Sequence, residues 1–329
     1  MARREISEIL TGAPTNWGRW GSEDELGALN GLTNDAVLRA AEEIESGDVF
    51  PLGTYLDHPD GDPIGIGVEA IAHEMTLDFS DVEDGSVDPA ESGGMAWAAD
   101  SISTPVHGTT THVDALGHVW YDETIYNGFD ARTTNGGLDR CGIERMGEHG
   151  IVGRAVLLDI ARHRSVSALG RGERISLSEL RACADEQGVE VRDGDLLLVR
   201  TGVMDYFYEA GPAEYYDAYR DADAEPPLLD EPGPTFTNEL VEWIQERDVP
   251  MVGIDTIHGE QTISSTTNTT TPLHPALIRN LGVTLSELHL LGDLAAHCEE
   301  TGRWSCFYAA SPLKIVGGTG SPINPIAIT

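Results

Sequence analysis

Between residues 151 and 255 the chain alternates short apolar runs with amphipathic stretches, and that alternation restricts the folds open to it. IVGRAVLLDIA (151–161) is dense in aliphatic and β-branched residues and reads as a strand. SLSELRACADEQG (176–188) reads as a helix, with a capping box from Ser176 to Glu179 and a stop at Gly188. GDLLLVRTG (194–202) follows as a buried strand, TNELVEWIQERD (237–248) as a helix and VPMVGID (249–255) as another buried strand. Strands alternating with helices place the chain in the α/β class.

The flanks are less regular. Residues 15–33 are rich in Gly, Trp and Asn and read as an irregular opening segment. A helix is expected over 35–46, capped by Thr33 or Asn34 and stopped at Gly47. Residues 80–95 are acidic and Gly-rich and read as a loop. Residues 205–234, rich in Tyr, acids and Pro, read as an insertion, and the end reads as one more strand followed by a Gly/Pro-rich tail. No linker divides the sequence, so one domain over 1–329 is expected.

Fifty-six acidic residues against twenty basic ones give a net charge of −36, and Lys314 is the single lysine. Such a surface repels nucleic-acid phosphates and anionic membranes, which argues against both as partners. Self-repulsion of this size is relieved by salt, so a halophilic setting is expected. The start carries no apolar run after its arginines and no window is long and apolar enough to span a bilayer. The four cysteines form no C-x-x-C pair and read as reduced thiols, consistent with a cytoplasmic location.

Chemistry concentrates in PVHGTTTHVDALGHVWYD (105–122), which holds His107, His112, Asp114 and His118, four of the chain's candidate donors, against a total of eleven histidines. His112, Asp114 and His118 are separated by even numbers, so on an extended strand they would share a face. Neutral imidazoles and a carboxylate make a mixed N/O set suited to zinc or manganese, or an acid/base site. Taken singly, His107 reads as a turn residue, Asp114 as a cap and His118 as a core or surface histidine; the four together read as a site. Downstream, His274 before Pro275 reads by itself as a helix-start residue, with Glu287 thirteen residues on. GIDTIHGEQ (253–261) ends a strand in polar residues, where ligands bind in open α/β sheets, so Asp255 and Glu260 are further candidates. His258, His289 and His297 read as structural or exposed, and His58, His73, His149 and His163 as surface positions. No G-x-S-x-G elbow is present, which argues against a serine hydrolase of the α/β type.

At these residues the chain resembles the cyclase family of metal-dependent hydrolases, which includes bacterial kynurenine formamidase and isatin hydrolase. The family signature is His-x-Gly-Thr-His-x-Asp with a further His four residues on, and THVDALGH (111–118) matches its second half. NWGRWGSEDELGALN, DALGHVWYDETIYNG, GDLLLVRTG, VGIDT, PLHPALIRNLGVTLSE and PLKIVGGTGSPINPIAI extend the likeness over most of the chain. The resemblance implies a β-barrel-like mixed sheet wrapped by helices, of the swivelling β/β/α type, in a homo-oligomer such as a dimer or tetramer. It implies one or two divalent ions, Zn or Mn, held by His112, Asp114, His274 and Glu287, with His118 as the proton-transfer residue. One departure stands out: the position of the family's first histidine is Gly108, and Thr110 replaces the motif glycine. His107 lies one residue early, and a strand bulge would be needed to re-aim it as a further ligand.

The activity these readings imply is hydrolysis of a C–N amide bond other than a peptide bond, in a small formamide or cyclic amide, an arylformamidase-like reaction. The alternatives are a lactone hydrolase or cyclising dehydratase on the same metal site, or a non-catalytic binding protein built on a degraded site.

Overall fold

A computed structural model describes residues 4–65, 67–222 and 228–329. The charged start (1–3) and residues 223–227 of the expected insertion lie outside the described residues. The architecture is α/β around one nine-stranded mixed sheet. Its strands are Val49–Pro51 (β1), His112–Asp114 (β2), Ile151–Asp159 (β3), Leu196–Arg200 (β4), Met251–Ile254 (β5), Thr284–Glu287 (β6), Ser305–Ala310 (β7), Gly320–Pro322 (β8) and Ile326–Ile328 (β9). They lie in the order β1-β9-β7-β3-β4-β5-β6-β2-β8.

The centre, β3-β4-β5-β6, is parallel, and both flanks are antiparallel. This follows from the sequence alternation, because parallel neighbours need a crossover between them. Leu177–Gln187 (α2, with Asn34–Ala40 as α1) joins β3 to β4, and Asn238–Glu246 (α5) joins β4 to β5. Helix α2 turns Leu177, Leu180, Cys183 and Ala184 inward, and α5 turns Leu240, Val241, Trp243 and Ile244 inward. With helices on the faces, β4 and β5 bury nearly every residue, which is why LLLV and MVGI are continuous rather than alternating.

The helix starts follow the expected chemistry. Thr33 Oγ1 accepts from Ala36 N to cap α1, which ends early at Ala40 and tightens into a 3-10 turn. Ser176 Oγ accepts from Glu179 N, Gly188 closes α2 in the left-handed region, and the Glu179 carboxylate is bidentate on Arg164 at 2.6 and 2.9 Å.

Three stretches differ from the sequence reading. The 80–95 loop sits inside a longer excursion, a hairpin of Ala72–Leu77 and Ala99–Ser103 spanned by a short Asp78-capped helix (Phe79–Glu83). Almost every hairpin side chain is exposed, so no half-buried alternation marked it in the sequence. The insertion is largely helical, as Val203–Ala210 (α3) and Pro212–Tyr219 (α4), because its tyrosines pack into a second apolar cluster with Val203, Met204 and Phe207. The Gly/Pro-rich tail supplies two strands, β8 and β9, which lie toward opposite edges of the sheet. Pro275–Leu281, between β5 and β6, is a π-helix with all seven residues buried, stopped by left-handed Gly282. Its C-terminal end is tied to the opening segment: Asn16 N donates to Asn280 O, Trp17 Nε1 to Arg279 O and Ala28 N to Gly282 O.

All four cysteines are free and buried. Among the described residues no helix is long and apolar enough to cross a membrane.

Candidate metal and acid/base site

Strand β2 pairs antiparallel with β6 so that His112 stands directly opposite Glu287. Directly opposed residues share a face, and the period of two adds Asp114 to it. On the other side of β2, Gly320 of β8 stands opposite Asp114. A Cβ at Gly320 would lie 2.9 Å from His107 Cε1, so this glycine makes room for the imidazole above the sheet. Gly259 does the same for Glu287: it holds a φ of +61°, and a Cβ there would lie 2.6 Å from Glu287 Oε1.

The inward atoms crowd together without hydrogen-bonding one another. His112 Nε2 lies 3.1 Å from Glu287 Oε2 and 3.7 Å from Asp114 Oδ1. His107 Nδ1 lies 3.0 Å from Asp114 Oδ1, and His274 Nε2 3.3 Å from Glu287 Oε1. His112 Nε2, both Asp114 carboxylate oxygens and Glu287 Oε1 are nevertheless buried and unpartnered, because the contacts lack hydrogen-bond alignment. Buried charged atoms left this way are costly unless a further partner takes them. Two overlapping donor groups have metal-like spacing, His107–His112–Asp114 and Asp114–His274–Glu287, with Asp114 common to both.

The outward nitrogens are fixed. His112 Nδ1 donates to Thr110 O at 2.7 Å, and His274 Nδ1 donates to the buried Glu260 at 2.7 Å. Each bond sets the tautomer that leaves Nε2 free to ligate. Glu260 also accepts from the backbone N–H groups of Leu273 and His274, so it is a support for His274 rather than part of the central cluster.

The electrostatics fit a cation. Burial opposes charge on His112, yet Glu287 and Asp114 hold its pKa above the ordinary value. His274, between Glu260 and Glu287, is raised well above its own despite burial. Burial works against an ionised Asp114, but His118 and His107 hold it well below the usual carboxylate range. His118 goes the other way: burial lowers it to about 4, against the pull of Asp114.

The structure therefore brings together all six residues expected at the site, though two arrive differently. His118 is not on the strand, which ends at Asp114; a turn closed by His118 N donating to Ala115 O carries it back. It stacks on His107 at 3.9 Å between ring centroids, with planes 12° apart. His107 needs no strand bulge: residues 105–111 form an irregular loop, and Gly65 N donates to Gly108 O to hold it. His107 Nε2 meets Thr319 Oγ1 at 3.0 Å. Of the two further candidates, Asp255 is structural. Its carboxylate accepts from Thr201 N, Thr201 Oγ1 and Gly202 N, each at 2.7 Å.

A cavity of about 420 Å³ opens over the cluster, lined by His107, His118, Trp120, His274 and Glu287, and also by His258. That volume suits a small molecule. A larger cavity, about 1170 Å³, lies along edge strand β1 and touches none of these side chains. His258 reads from sequence as structural; its place here depends on Glu231, twenty-seven residues away, which nothing local signals. The remaining histidines are supported elsewhere: His73 bridges Asp57 and Asp100, His163 meets Glu186, and buried His289 meets Tyr308.

A family model described as "Putative cyclase" matches residues 49–261, more than half of the chain. The match contains His107, His112, Asp114 and His118 and stops short of His274 and Glu287. A crystal structure described as that of a novel cyclase is 32% identical, covers 96% of this chain and 100% of its own, and superposes with a TM-score of 0.84. Isatin hydrolase A from Labrenzia aggregata shares the fold at 20% identity, over 88% of this chain and 94% of its own, with a TM-score of 0.61. Isatin hydrolase A from Ralstonia solanacearum does so at 22% identity, over 90% and 98%, with a TM-score of 0.58. No curated protein matches the chain significantly.

Proposed function

The chain belongs to the cyclase family, and on that footing we propose that it is a metal-dependent hydrolase of a C–N amide bond, in a small formamide or cyclic amide. One observation carries the reading: four inward-facing donor atoms of His112, Asp114 and Glu287 are buried and without hydrogen-bond partners. His107, His112, Asp114, His274 and Glu287 are the residues that would hold the ion or ions, zinc or manganese by the mixed N/O donor set. A divalent ion at such a site polarises a carbonyl and supplies a water nucleophile at neutral pH.

The chain's own residues do the rest. Thr110 and Glu260 fix the ligand tautomers of His112 and His274. His118, unprotonated at neutral pH, takes a proton from the attacking water and delivers it to the leaving nitrogen. Its stack on His107 holds the ring over the cluster. With burial holding it neutral, His118 itself is not expected to impose a fall in rate until the pH drops to about 4.

Removal of divalent ions by a chelator abolishes turnover under this reading, and full amide hydrolysis by the chelated protein would defeat it. His118→Ala is expected to retain its metal and lose roughly 10²- to 10⁴-fold in rate. Oxygen-18 from solvent enters the product of a hydrolase and not that of a cyclising dehydratase. The extreme acidity supports a salt-adapted protein, whose melting temperature rises from low to molar salt. A homo-oligomer is supported by the exposed apolar side chains of the 72–103 excursion, among them Phe79, Trp97 and Ile102, and light scattering tests it.

A further inference from the structure

We propose that His258 is a substrate-anchoring residue of this cavity, donating from Nε2 to a carboxylate of the substrate remote from the bond that is cut. The inference rests on the hydrolase reading above and extends it to a substrate class: small amides that carry an acidic group.

His258 lines the same cavity as His107, His118, His274 and Glu287. It belongs to neither of the donor groups with metal-like spacing. Its Nδ1 donates to Glu231 Oε2 at 2.9 Å, and its side chain keeps 26% exposure. Glu231 is fully buried and saturated. Oε1 accepts from Tyr215 Oη at 2.6 Å, and Oε2 also accepts from Ile257 N at 2.9 Å and His258 N at 3.2 Å. Four donors surround that carboxylate, and none of the described residues offers it a competing acceptor.

A buried carboxylate needs a countercharge. No arginine or lysine among the described residues pairs with Glu231, and His258 is its ion-pair partner. Burial opposes charge on the imidazole, yet Glu231 raises its pKa above the ordinary value, which favours the protonated ring. With Nδ1–H committed to Glu231, the second proton sits on Nε2, which has no protein acceptor among the described residues. Among the described residues the cavity lining contains no arginine or lysine, so an anionic group entering it has this imidazole as its cationic donor outside the central cluster. Tyr215, which donates to Glu231, belongs to the second apolar cluster; that anchorage fixes the carboxylate and through it the ring, and makes Glu231 a positioning residue.

The test uses a probe that the reaction cannot consume. Benzoate and its neutral counterpart benzamide are titrated by calorimetry into the full-length protein, both metal-loaded and metal-free. A charge-assisted hydrogen bond predicts that benzoate binds about tenfold tighter than benzamide. His258→Phe is expected to abolish the preference and His258→Gln to retain part of it, with metal content unchanged in both. Glu231→Gln is expected to weaken the preference while His258→Gln/Glu231→Gln shows no further loss. Equal binding of the two probes by the natural protein overturns the proposal. So does a benzoate preference that survives in His258→Phe or appears only with metal present, since the carboxylate then sits on the ion. With a carboxylated amide as substrate, His258→Gln is expected to raise KM about tenfold at near-constant kcat. A fall in kcat at unchanged KM places His258 in the chemical step and removes it as an anchor. Intact benzoate preference with no amide turnover defeats the hydrolase reading and leaves the anchor standing.

Discussion

Asp114 and Asp255 are both about 1% exposed, and each lies at the end of a strand in the same sheet. Asp255, just past β5, accepts three hydrogen bonds from Thr201 and Gly202 and so laces the ends of β4 and β5 together. Asp114, at the end of β2, accepts none on its carboxylate. Their titration is the reverse of what hydrogen bonds alone would give. Burial pushes Asp255 up to about 7 even against the Thr201 donors, whereas the imidazoles of His118 and His107 hold Asp114 low. A carboxylate supplied with backbone donors is committed to the fold, and one set among imidazoles without such donors is, on the reading proposed above, left to meet a cation.

The contrast is sharpest in what removal of each group does. Asp114→Asn is expected to cost activity more than the roughly 100-fold typical of losing an outer-shell partner, and to lose the metal, measured by elemental analysis. The metal-free protein should stay folded with at most a modest fall in melting temperature, as the imidazoles lose their countercharge; a collapse of the metal-free fold would make Asp114 structural. Asp255→Ala should do the opposite. It strands the N–H groups of Thr201 and Gly202 and is expected to cost about 2–4 kcal/mol in denaturant unfolding, with metal content unchanged. Glu260→Gln lies between them, with metal affinity falling about 10- to 100-fold as His274 loses its carboxylate support, read by competition with a chelator. The smallest effect is in pH. Asp255 has a folded pKa raised above its ordinary 3.8. Its stabilising contribution is therefore full below 3.8 and lost as pH rises through about 7. Unfolding between pH 5 and 8 should show that loss in the natural protein and a flatter profile in Asp255→Asn.

Much of this contrast was open to reading from sequence, and the part that was not has a common cause. Periodicity within single segments locates β3, α2, β4, α5 and β5, because each buries a face that its own residues define. The two-residue step from His112 to Asp114 is likewise local. The opposition of His112 to Glu287 is not, since it depends on β6 and β2 finding each other across 175 positions of chain. His274 and Glu287 entered through family likeness, and their spacing alone carried no signal. Asp255 and His258 sit in the same nonapeptide, GIDTIHGEQ, yet Asp255 is bonded into the backbone of Thr201 and Gly202 while His258 lines the cavity. Their surroundings depend on Thr201 and Glu231, partners contributed by other segments. Likewise, the tyrosines of 205–219 look like loop residues until the cluster around Phe207 gives them an interior to enter.

The π-helix at Pro275–Leu281 has a genetic consequence. In a π-helix each hydrogen bond spans one residue more than in the regular ladder, so loss of a single codon within it would let the segment relax to an ordinary α-helix. Its far end is bolted to residues 16–28, so the shortening would fall on the near end, where His274 stands. An in-frame deletion of three nucleotides there would leave the sheet assembled and the reading frame intact while withdrawing one imidazole from its partners. On the hydrolase reading, such an allele is expected to make a folded protein without activity.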